Sequence, residues 1–176
     1  MLIRSITGRF PRFKVRERHY SQNGLKFFEV KKKNNTRRTT KRRIARSKSS
    51  HEASGWIPKQ TPFCADDLSP VLTNLFERIT LINNDQTERV TLDFNLQFRT
   101  PSGSATSVYD RVAIVELKQD KTAASPLRKY LRSKGIRPRS VSKYCMGILL
   151  SGCETNFKRY KPNYTQFIKL QNEQIV

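Results

Sequence analysis

The chain has 176 residues, a length typical of one domain, and its 35 Lys and Arg against 14 Asp and Glu give a formal net charge of +21. Its 10 Phe, 6 Tyr and 1 Trp can supply a hydrophobic core, so the composition excludes a wholly disordered chain. No apolar stretch approaches the roughly 20 residues of a membrane-spanning helix, so the sequence predicts no membrane segment.

The three cysteines are too scattered for a zinc site. Cys64, Cys145 and Cys153 form no C-x-x-C pair, and His19 and His51 lie far from them in the chain. We therefore expect reduced, mostly structural thiols in a cytoplasmic protein.

The positive charge is concentrated at the beginning of the chain. Residues 1–50 contain 17 Lys and Arg but only two acidic residues, a net charge of +15. A segment of this kind favours a polyanionic partner, such as nucleic acid, an anionic lipid surface or a phosphate chain. A solvated basic tail is the alternative interpretation.

Alternating residue types predict a basic hairpin in this first segment. In residues 12–20, RFKVRERHY, the basic and apolar residues occupy opposite parities, which is the pattern of a strand. Asn23-Gly24 is a strong hairpin-turn signal, and the return strand is predicted over residues 25–33. A second basic strand is predicted over residues 37–44, and residues 45–65 are predicted to form a loop with at most one helical turn.

The clearest element of the sequence is the strand predicted over residues 89–99. All 11 positions of RVTLDFNLQFR alternate between polar and apolar. Ser125 followed by a proline predicts the start of a helix over residues 127–134, which ends at Gly135. The other predicted elements are strands over residues 71–82, 108–118 and 142–150 and a helix in the tail, residues 158–176.

Six or more antiparallel strands with few helices predict an α+β, mainly β protein built as a sandwich or a barrel. The polar parity of a strand faces water in an ordinary half-buried sheet, but it points inward in a wide barrel with a wet lumen. Both orientations are compatible with the alternation. The Lys and Arg residues on the polar parities of several strands favour the second orientation.

The polar parities carry a set of charged residues that suits a phosphate chain. Neighbours at positions i and i+2 lie about 6–7 Å apart on one strand face, and arginine binds phosphate oxygens through paired hydrogen bonds. So many facing cations repel one another unless a polyanion lies between them. Glu116 is either an oxygen ligand for Mg²⁺ or Mn²⁺ or an ion-pair partner of Lys118. The set comprises Arg16, Arg18, Glu29, Lys31, Lys41, Arg78, Arg89, Glu116, Lys118 and Lys143.

Seven stretches of the chain form an ordered set of motifs: VRERHY, FFEVKKK, TKRRI, LSPVLTNLFERITL, ERVTLDFNLQF, VAIVELKQD and RPRSVSKYCMGI. They cover nearly all of residues 8–150. Taken in this order, they resemble the VTC domain, the polyphosphate polymerase domain of the vacuolar transporter chaperone type. The resemblance implies a single domain over residues 1–176 with the triphosphate tunnel fold, an antiparallel β-barrel with a basic lumen and a few flanking helices. Such domains begin with a strand, a helix and another strand, so the resemblance also implies an N-terminally truncated chain that lacks the first strands.

The resemblance also implies residue roles. The phosphate-binding residues that it implies are Arg16, Arg18, Lys31, Lys41, Arg78, Arg89, Lys118 and Lys143, with Tyr20 completing the first arginine motif. It implies catalytic roles for Arg89 and Lys143, and a Mn²⁺ or Mg²⁺ ion bound by Glu116. The implied reaction is the transfer of the terminal phosphate of ATP to a polyphosphate chain in the cytoplasm, with no specific nucleic-acid partner.

The sequence leaves three functions to be distinguished. The first is the phosphotransferase, with triphosphate hydrolysis as a close variant, and the second is a non-catalytic module that binds polyphosphate or inositol phosphates. The third is a basic nucleic-acid-binding protein, suggested by the charge of residues 1–50 and the aromatic residues between the cations. The sequence contains no helix-turn-helix, zinc-finger or RNA-module signature, which argues against the third.

Overall fold

The computed structural model describes residues 11–36, 38–46, 51–103, 106–119, 125–151, 158 and 160–173. The chain divides into two compact units, residues 1–70 and residues 71–176. The prediction of an α+β, mainly β protein is confirmed, because the described residues form seven strands in two antiparallel sheets and four helices. No closed barrel is found among them, so the barrel stays a prediction.

The first unit contains the predicted basic hairpin and one further strand. Its sheet has the order β1-β2-β3, and both pairs are antiparallel. The turn between β1 and β2 forms where Asn23 and Gly24 predict it: the Asn23 Oδ1 atom accepts a hydrogen bond from the Leu25 amide at 3.2 Å, and Gly24 has a φ of +66°. The strands are β1 (Arg12–His19), β2 (Lys26–Lys33) and β3 (Thr39–Ala45).

The prediction of a loop over residues 45–65 is wrong, because helix α1 (His51–Gln60) lies within it. The sequence does not predict this helix because it contains Gly55 and Pro58, and both residue types disfavour a helix interior. Packing overrides the propensity: α1 packs against β2, and Ile57 is buried. Just after the helix, Phe63 contacts Phe13 edge to face with ring centroids 6.0 Å apart. The apolar parity of the first sheet is thus the covered one.

The second unit is organised around its longest strand, β5, which pairs with three others. The predicted continuous strand over residues 108–118 is wrong in one respect, because it is two strands. β6 pairs with the end of β5, and β7 pairs with its beginning. The strands are β4 (Thr73–Ile82), β5 (Glu88–Arg99), β6 (Thr106–Tyr109) and β7 (Ile114–Gln119).

Two of the three helices in the second unit agree with the sequence. In α2 (Pro126–Ser133), the Ser125 Oγ atom accepts a hydrogen bond from the Arg128 amide at 3.0 Å, as expected of a helix cap. The tail forms α4 (Lys161–Asn172). The predicted strand over residues 142–150 is wrong: it is helix α3 (Lys143–Leu150), capped by the Ser142 hydroxyl. A short apolar run does not by itself distinguish a strand from a buried helix.

A β-bulge divides β5 into two halves. Leu75 pairs with Gln97 but Glu77 pairs with Phe94, so β5 contains one extra residue, and Asn95 has a φ of +50°. The extra residue reverses the parity of the strand. Consequently the polar side chains before the bulge and the apolar side chains after it lie on the same face of the sheet.

The apolar part of that face is the core of the second unit. Leu96, Phe98 and Met146 are buried together with Tyr109 and Phe167. Helix α3 lies close against this face, because a Cβ atom added at Gly147 would lie 2.5 Å from the Cδ1 atom of Phe98. The core therefore fixes α3 on the sheet and places the start of the helix beside the polar half of β5.

Candidate functional site

The polar parities of the first sheet form one strongly basic surface, which we call the first basic face. Directly paired residues of antiparallel strands point to the same side of a sheet, so the register defines its members. Eight cations share this side with one carboxylate. The nine residues are Arg12, Lys14, Arg16 and Arg18 of β1, Glu29, Lys31 and Lys33 of β2, and Lys41 and Arg43 of β3.

Glu29 is the centre of the first basic face. Its side chain is only 1% exposed, and its carboxylate pairs with Arg16 at 2.5 Å, Lys41 at 2.7 Å and Arg18 at 3.5 Å. Burial raises the pKa of Glu29, but the hydrogen bond from Lys41 and the charges of Arg16 and Arg18 outweigh it, so this pKa lies below its ordinary value. The ionised carboxylate thus holds cations from two outer strands in fixed positions.

Next to this cluster, three lysines stand side by side across the sheet. Lys14 is paired with Lys31, which is paired with Lys41 on the other side. Like charges directly opposite each other destabilise a sheet, whereas an anion lying across the strands stabilises them. The arrangement is therefore suited to a ligand with several negative charges.

The second sheet has its own charged surface, which we call the second basic face. It lies on the side of the sheet that α3 covers and includes the polar half of β5. Its members are Arg78 and Thr80 of β4, Arg89, Thr91 and Asp93 of β5, Glu116 and Lys118 of β7, and Lys143 of α3.

Asp93 is the centre of the second basic face and is also 1% exposed. Arg78 binds it through two hydrogen bonds of 2.5 and 2.7 Å, and Lys143 pairs with the same carboxylate. Burial raises the pKa of Asp93, but the hydrogen bonds from Arg78 and Lys143 and their charges lower it below its ordinary value. Both cations also lie over the ring of Phe76, Lys143 at 4.7 Å and Arg78 at 5.3 Å from its centroid.

Two further cations of this face are directly opposed. Arg89 and Lys118 are partners in the register of β5 and β7, and both side chains are exposed. Lys118 lies 3.3 Å from the carboxylate of Glu116, two residues earlier on the same strand. The two opposed cations can bind one anion between them.

Beside them lies a buried hydroxyl group without a partner. Thr91 is 8% exposed, and its Oγ1 atom forms no hydrogen bond with any residue that the structure describes. Its partner in the register is Glu116. An unpaired buried hydroxyl is costly unless a ligand or water satisfies it.

The Mn²⁺ or Mg²⁺ ion expected at Glu116 stays a prediction. Among the described residues no group of three His, Cys, Asp or Glu side chains could hold a metal ion. Mg²⁺ is commonly bound by one or two carboxylates together with substrate phosphates and water, and the exposed Glu116 carboxylate provides one such oxygen ligand.

The structure groups the sequence-predicted residues into two sets. The first basic face brings together Arg16, Arg18, Lys31 and Lys41, and the second brings together Arg78, Arg89, Glu116, Lys118 and Lys143. Tyr20 lies beside the first set, because its hydroxyl accepts a hydrogen bond from Arg18 at 3.1 Å. Whether these residues bind phosphate stays a prediction.

Sequence reasoning missed the organising role of Asp93 and the place of Lys14 and Arg43. Each of the three shares its parity with a basic residue nearby in the sequence: Asp93 follows Arg89 by four residues, Lys14 precedes Arg16 by two and Arg43 follows Lys41 by two. An acid at the middle of a strongly alternating strand is the signal for a buried ion-pair centre.

Two further predictions concern thiols and membrane segments. Cys64 and Cys145 are free thiols, as expected, and Cys153 lies outside the described residues. Within the described part of the chain, no helix has the length and apolar character needed to cross a bilayer.

Comparison with known proteins identifies the family. The family model of the VTC domain matches residues 60–151, which is 92 of 176 residues and just over half of the chain. No curated protein and no solved structure matches the chain. The matched range contains the whole second basic face, whereas the first basic face precedes it. The chain belongs to the VTC domain family.

Proposed function

We propose that this protein binds ATP and polyphosphate and transfers the terminal phosphoryl group of ATP to the polyphosphate chain. The observation that carries the proposal is the second basic face, where five sequence-predicted residues share one side of the sheet and two of them, Arg78 and Lys143, pair with the buried carboxylate of Asp93. Membership of a family related to polyphosphate polymerases supports it. A β-barrel tunnel and a cytoplasmic site of action belong to this proposal.

Phosphoryl transfer asks the protein for position and charge rather than for covalent chemistry. A terminal oxygen of the polyphosphate attacks the γ-phosphorus of ATP, the bond from that phosphorus to the bridging oxygen breaks, and ADP leaves. Arg89 and Lys143 contact the transferred phosphoryl group and neutralise the charge that develops on its oxygens. Asp93 acts as a positioning residue, because it holds Lys143 and Arg78 toward the same space.

Glu116 holds Mg²⁺ or Mn²⁺ in this proposal. A bound divalent cation supplies charge neutralisation and orientation for the phosphate oxygens. The cations of the first basic face, with Lys31 and Lys41 beside Glu29, bind the polyphosphate chain.

The test is polyphosphate synthesis from ATP with Mn²⁺ or Mg²⁺. We expect wild-type protein to form polyphosphate and to release one ADP for each phosphate added to the polymer. Glu116→Gln, Arg89→Gln and Lys143→Gln are each expected to lower kcat by about 100-fold, as for removal of one group that stabilises transition-state charge. Glu77→Gln, on the opposite face of the same sheet, and Arg99→Gln, at the far end of β5, are the matched controls.

The assay also separates the alternative functions. Release of inorganic phosphate without polymer identifies a triphosphatase. Binding of tripolyphosphate without turnover identifies a binding module. Salt-sensitive binding of RNA or DNA that survives Arg16→Gln, Arg89→Gln and Lys143→Gln contradicts the proposal and favours a nucleic-acid-binding protein.

A further inference from the structure

Residues 126–141, PLRKYLRSKGIRPRSV, form an exposed basic segment whose residues are members of neither basic face. We call it the basic loop surface. It contains six cations and no acidic residue, and all of its residues except Leu127 and Leu131 are exposed. Its cations are Arg128, Lys129, Arg132, Lys134, Arg137 and Arg139.

The surface is ordered by its own hydrogen bonds. After α2 the chain turns at Gly135, whose φ is +72°, and the Ile136 amide donates to the Leu131 carbonyl at 2.9 Å. This is the usual glycine-terminated end of a helix. The Asn163 side chain of α4 donates to the Ser140 carbonyl at 2.9 Å and fastens the end of the segment.

Large apolar side chains are exposed among the cations. Tyr130 is 58% exposed, Ile136 is 54% exposed and Val141 is 42% exposed. In a helix of this end type the residue after the glycine usually packs back on the last turn, but Ile136 remains open to solvent. Exposed apolar groups set among cations are typical of segments that insert at the surface of an anionic bilayer.

A cleft in the same surface suits a headgroup. Arg132 and Arg137 line an open cleft of about 530 Å³ together with Gly135 and Pro138. Two guanidinium groups beside one opening are suited to a phosphate group.

We propose that the basic loop surface docks on a lipid bilayer rich in anionic headgroups. The cations attract the headgroup phosphates, and Ile136 and Val141 enter the interfacial layer. A single-stranded nucleic acid is another polyanion that could bind an exposed basic surface, but proteins bind it largely through aromatic side chains on which the bases stack. Here two of the three exposed apolar side chains are aliphatic, and Lys134 already lies over the ring of Tyr130 at 5.8 Å.

The test is co-sedimentation of the full chain with vesicles at 0.15 M NaCl, using phosphatidylcholine alone and a mixture of phosphatidylcholine with phosphatidylglycerol. We expect binding to the mixed vesicles and little to the neutral ones. Arg132→Gln with Arg137→Gln is expected to weaken binding about 10-fold or more, because each cation near an anionic surface contributes about fivefold. Lys158→Gln with Lys161→Gln removes the same charge from exposed sites elsewhere and is expected to have a much smaller effect.

The apolar contribution is tested separately. Ile136→Ser with Val141→Ser keeps all charges and is expected to weaken vesicle binding several-fold, whereas Ile79→Ser with Val108→Ser at exposed sites of the sheet leaves it unchanged. All substituted residues are exposed, and circular dichroism verifies that each variant folds. Equal losses in the test and control pairs, or vesicle binding unaffected by Ile136→Ser with Val141→Ser, would overturn the proposal. The proposal would also be overturned if Arg132→Gln with Arg137→Gln weakened the binding of single-stranded RNA but left vesicle binding unchanged.

Discussion

The buried hydroxyl of Thr91 has an energetic consequence that a ligand can reverse. A buried polar group without a partner costs about 1–3 kcal/mol, and Thr91 carries this cost on the face where phosphate is proposed to bind. If the hydroxyl donates a hydrogen bond to a bound phosphate oxygen, the cost disappears in the complex. Thr91 then lowers the stability of the free protein and raises its affinity for phosphate.

We therefore expect opposite effects of Thr91→Val on stability and on binding. Valine has nearly the same shape, so the free energy of unfolding without ligand rises by about 1 kcal/mol. The increase in Tm caused by tripolyphosphate becomes smaller than in the wild type. Thermal unfolding with and without tripolyphosphate measures both. Thr73→Val, at an exposed site at the other end of β4, is the control. A lower Tm of free Thr91→Val contradicts the argument.

A second prediction at this scale concerns the charge of Asp93. Its pKa in the folded state lies below the ordinary value of 3.8, so its ionisation stabilises the fold above that value, and this stabilisation is lost as the pH falls through the lowered pKa. Asp93→Asn leaves Arg78 and Lys143 without a countercharge. We expect a loss of about 2 kcal/mol at pH 7, less than the roughly 3–5 kcal/mol for a fully buried pair, because both cations are partly exposed.

Urea unfolding between pH 3 and pH 7 measures this effect. The stability difference between wild type and Asp93→Asn should shrink as the pH falls below about 4, because both proteins then lack the charge. Part of the pH dependence remains in the variant, since Glu29 also has a lowered pKa. Asp85→Asn removes an exposed carboxylate and should change little. A constant difference at every pH argues against an ionised Asp93.

At the scale of elements, the alternation of polar and apolar residues predicts a strand correctly where one face of that strand is buried. The hairpin of β1 and β2 and the first half of β5 follow directly from it. It failed after Asn95, because a residue with positive φ inserts into the strand and reverses which side chains face the core. No periodicity in RVTLDFNLQFR signals that reversal, since the sequence alternates through it.

Helix α3 shows a different limit of sequence reading. The run CMGILL has the length and composition of a buried strand, and its helical state depends on the packing of Gly147 against Phe98 and Leu72. The residues of the candidate site likewise divide into those that the sequence predicts and those that it does not. The strand residues of both basic faces are predictable from parity, but the approach of Lys143 to Asp93 depends on a helix that the sequence does not reveal.

We accordingly expect Gly147→Ala to be one of the more damaging small substitutions. Its Cβ atom would lie 2.5 Å from the Phe98 ring and would also meet Leu72, and overpacking of this kind costs about 1–3 kcal/mol. Displacement of α3 also moves Lys143, so the kcat of polyphosphate synthesis falls with the stability. Gly55→Ala is the matched control, because nothing lies within 4 Å of its added Cβ.

In that control, Ala in place of a helical glycine should raise stability by about 0.5–1 kcal/mol. Thermal unfolding of the two variants measures the contrast. Equal changes in the two proteins would mean that α3 does not depend on the close approach of Gly147.

At the scale of the whole molecule, the dominant feature is the excess of positive over negative charge. The formal net charge is +21, and the sheets place like charges in direct register, Lys14 with Lys31 and Arg89 with Lys118. Such self-repulsion lowers the stability of the compact state, and salt screens it over about 10 Å at 0.1 M. We therefore expect the Tm of the free protein to rise between 0.02 and 0.3 M NaCl. A polyanion that binds at a specific site is expected to raise the Tm by more than this screening does.

Comparison of tripolyphosphate with NaCl at equal ionic strength separates binding from screening. A ligand at 100 times its Kd stabilises the folded state by about 2.7 kcal/mol, which for a chain of this size raises Tm by about 5–10 °C. Lys31→Gln with Lys41→Gln and Arg89→Gln with Lys118→Gln should each reduce that increase, because each pair removes two cations from one basic face. Lys158→Gln with Lys161→Gln removes as much charge and should preserve the increase. If tripolyphosphate raises Tm no more than NaCl does, the two faces carry charge without a phosphate site.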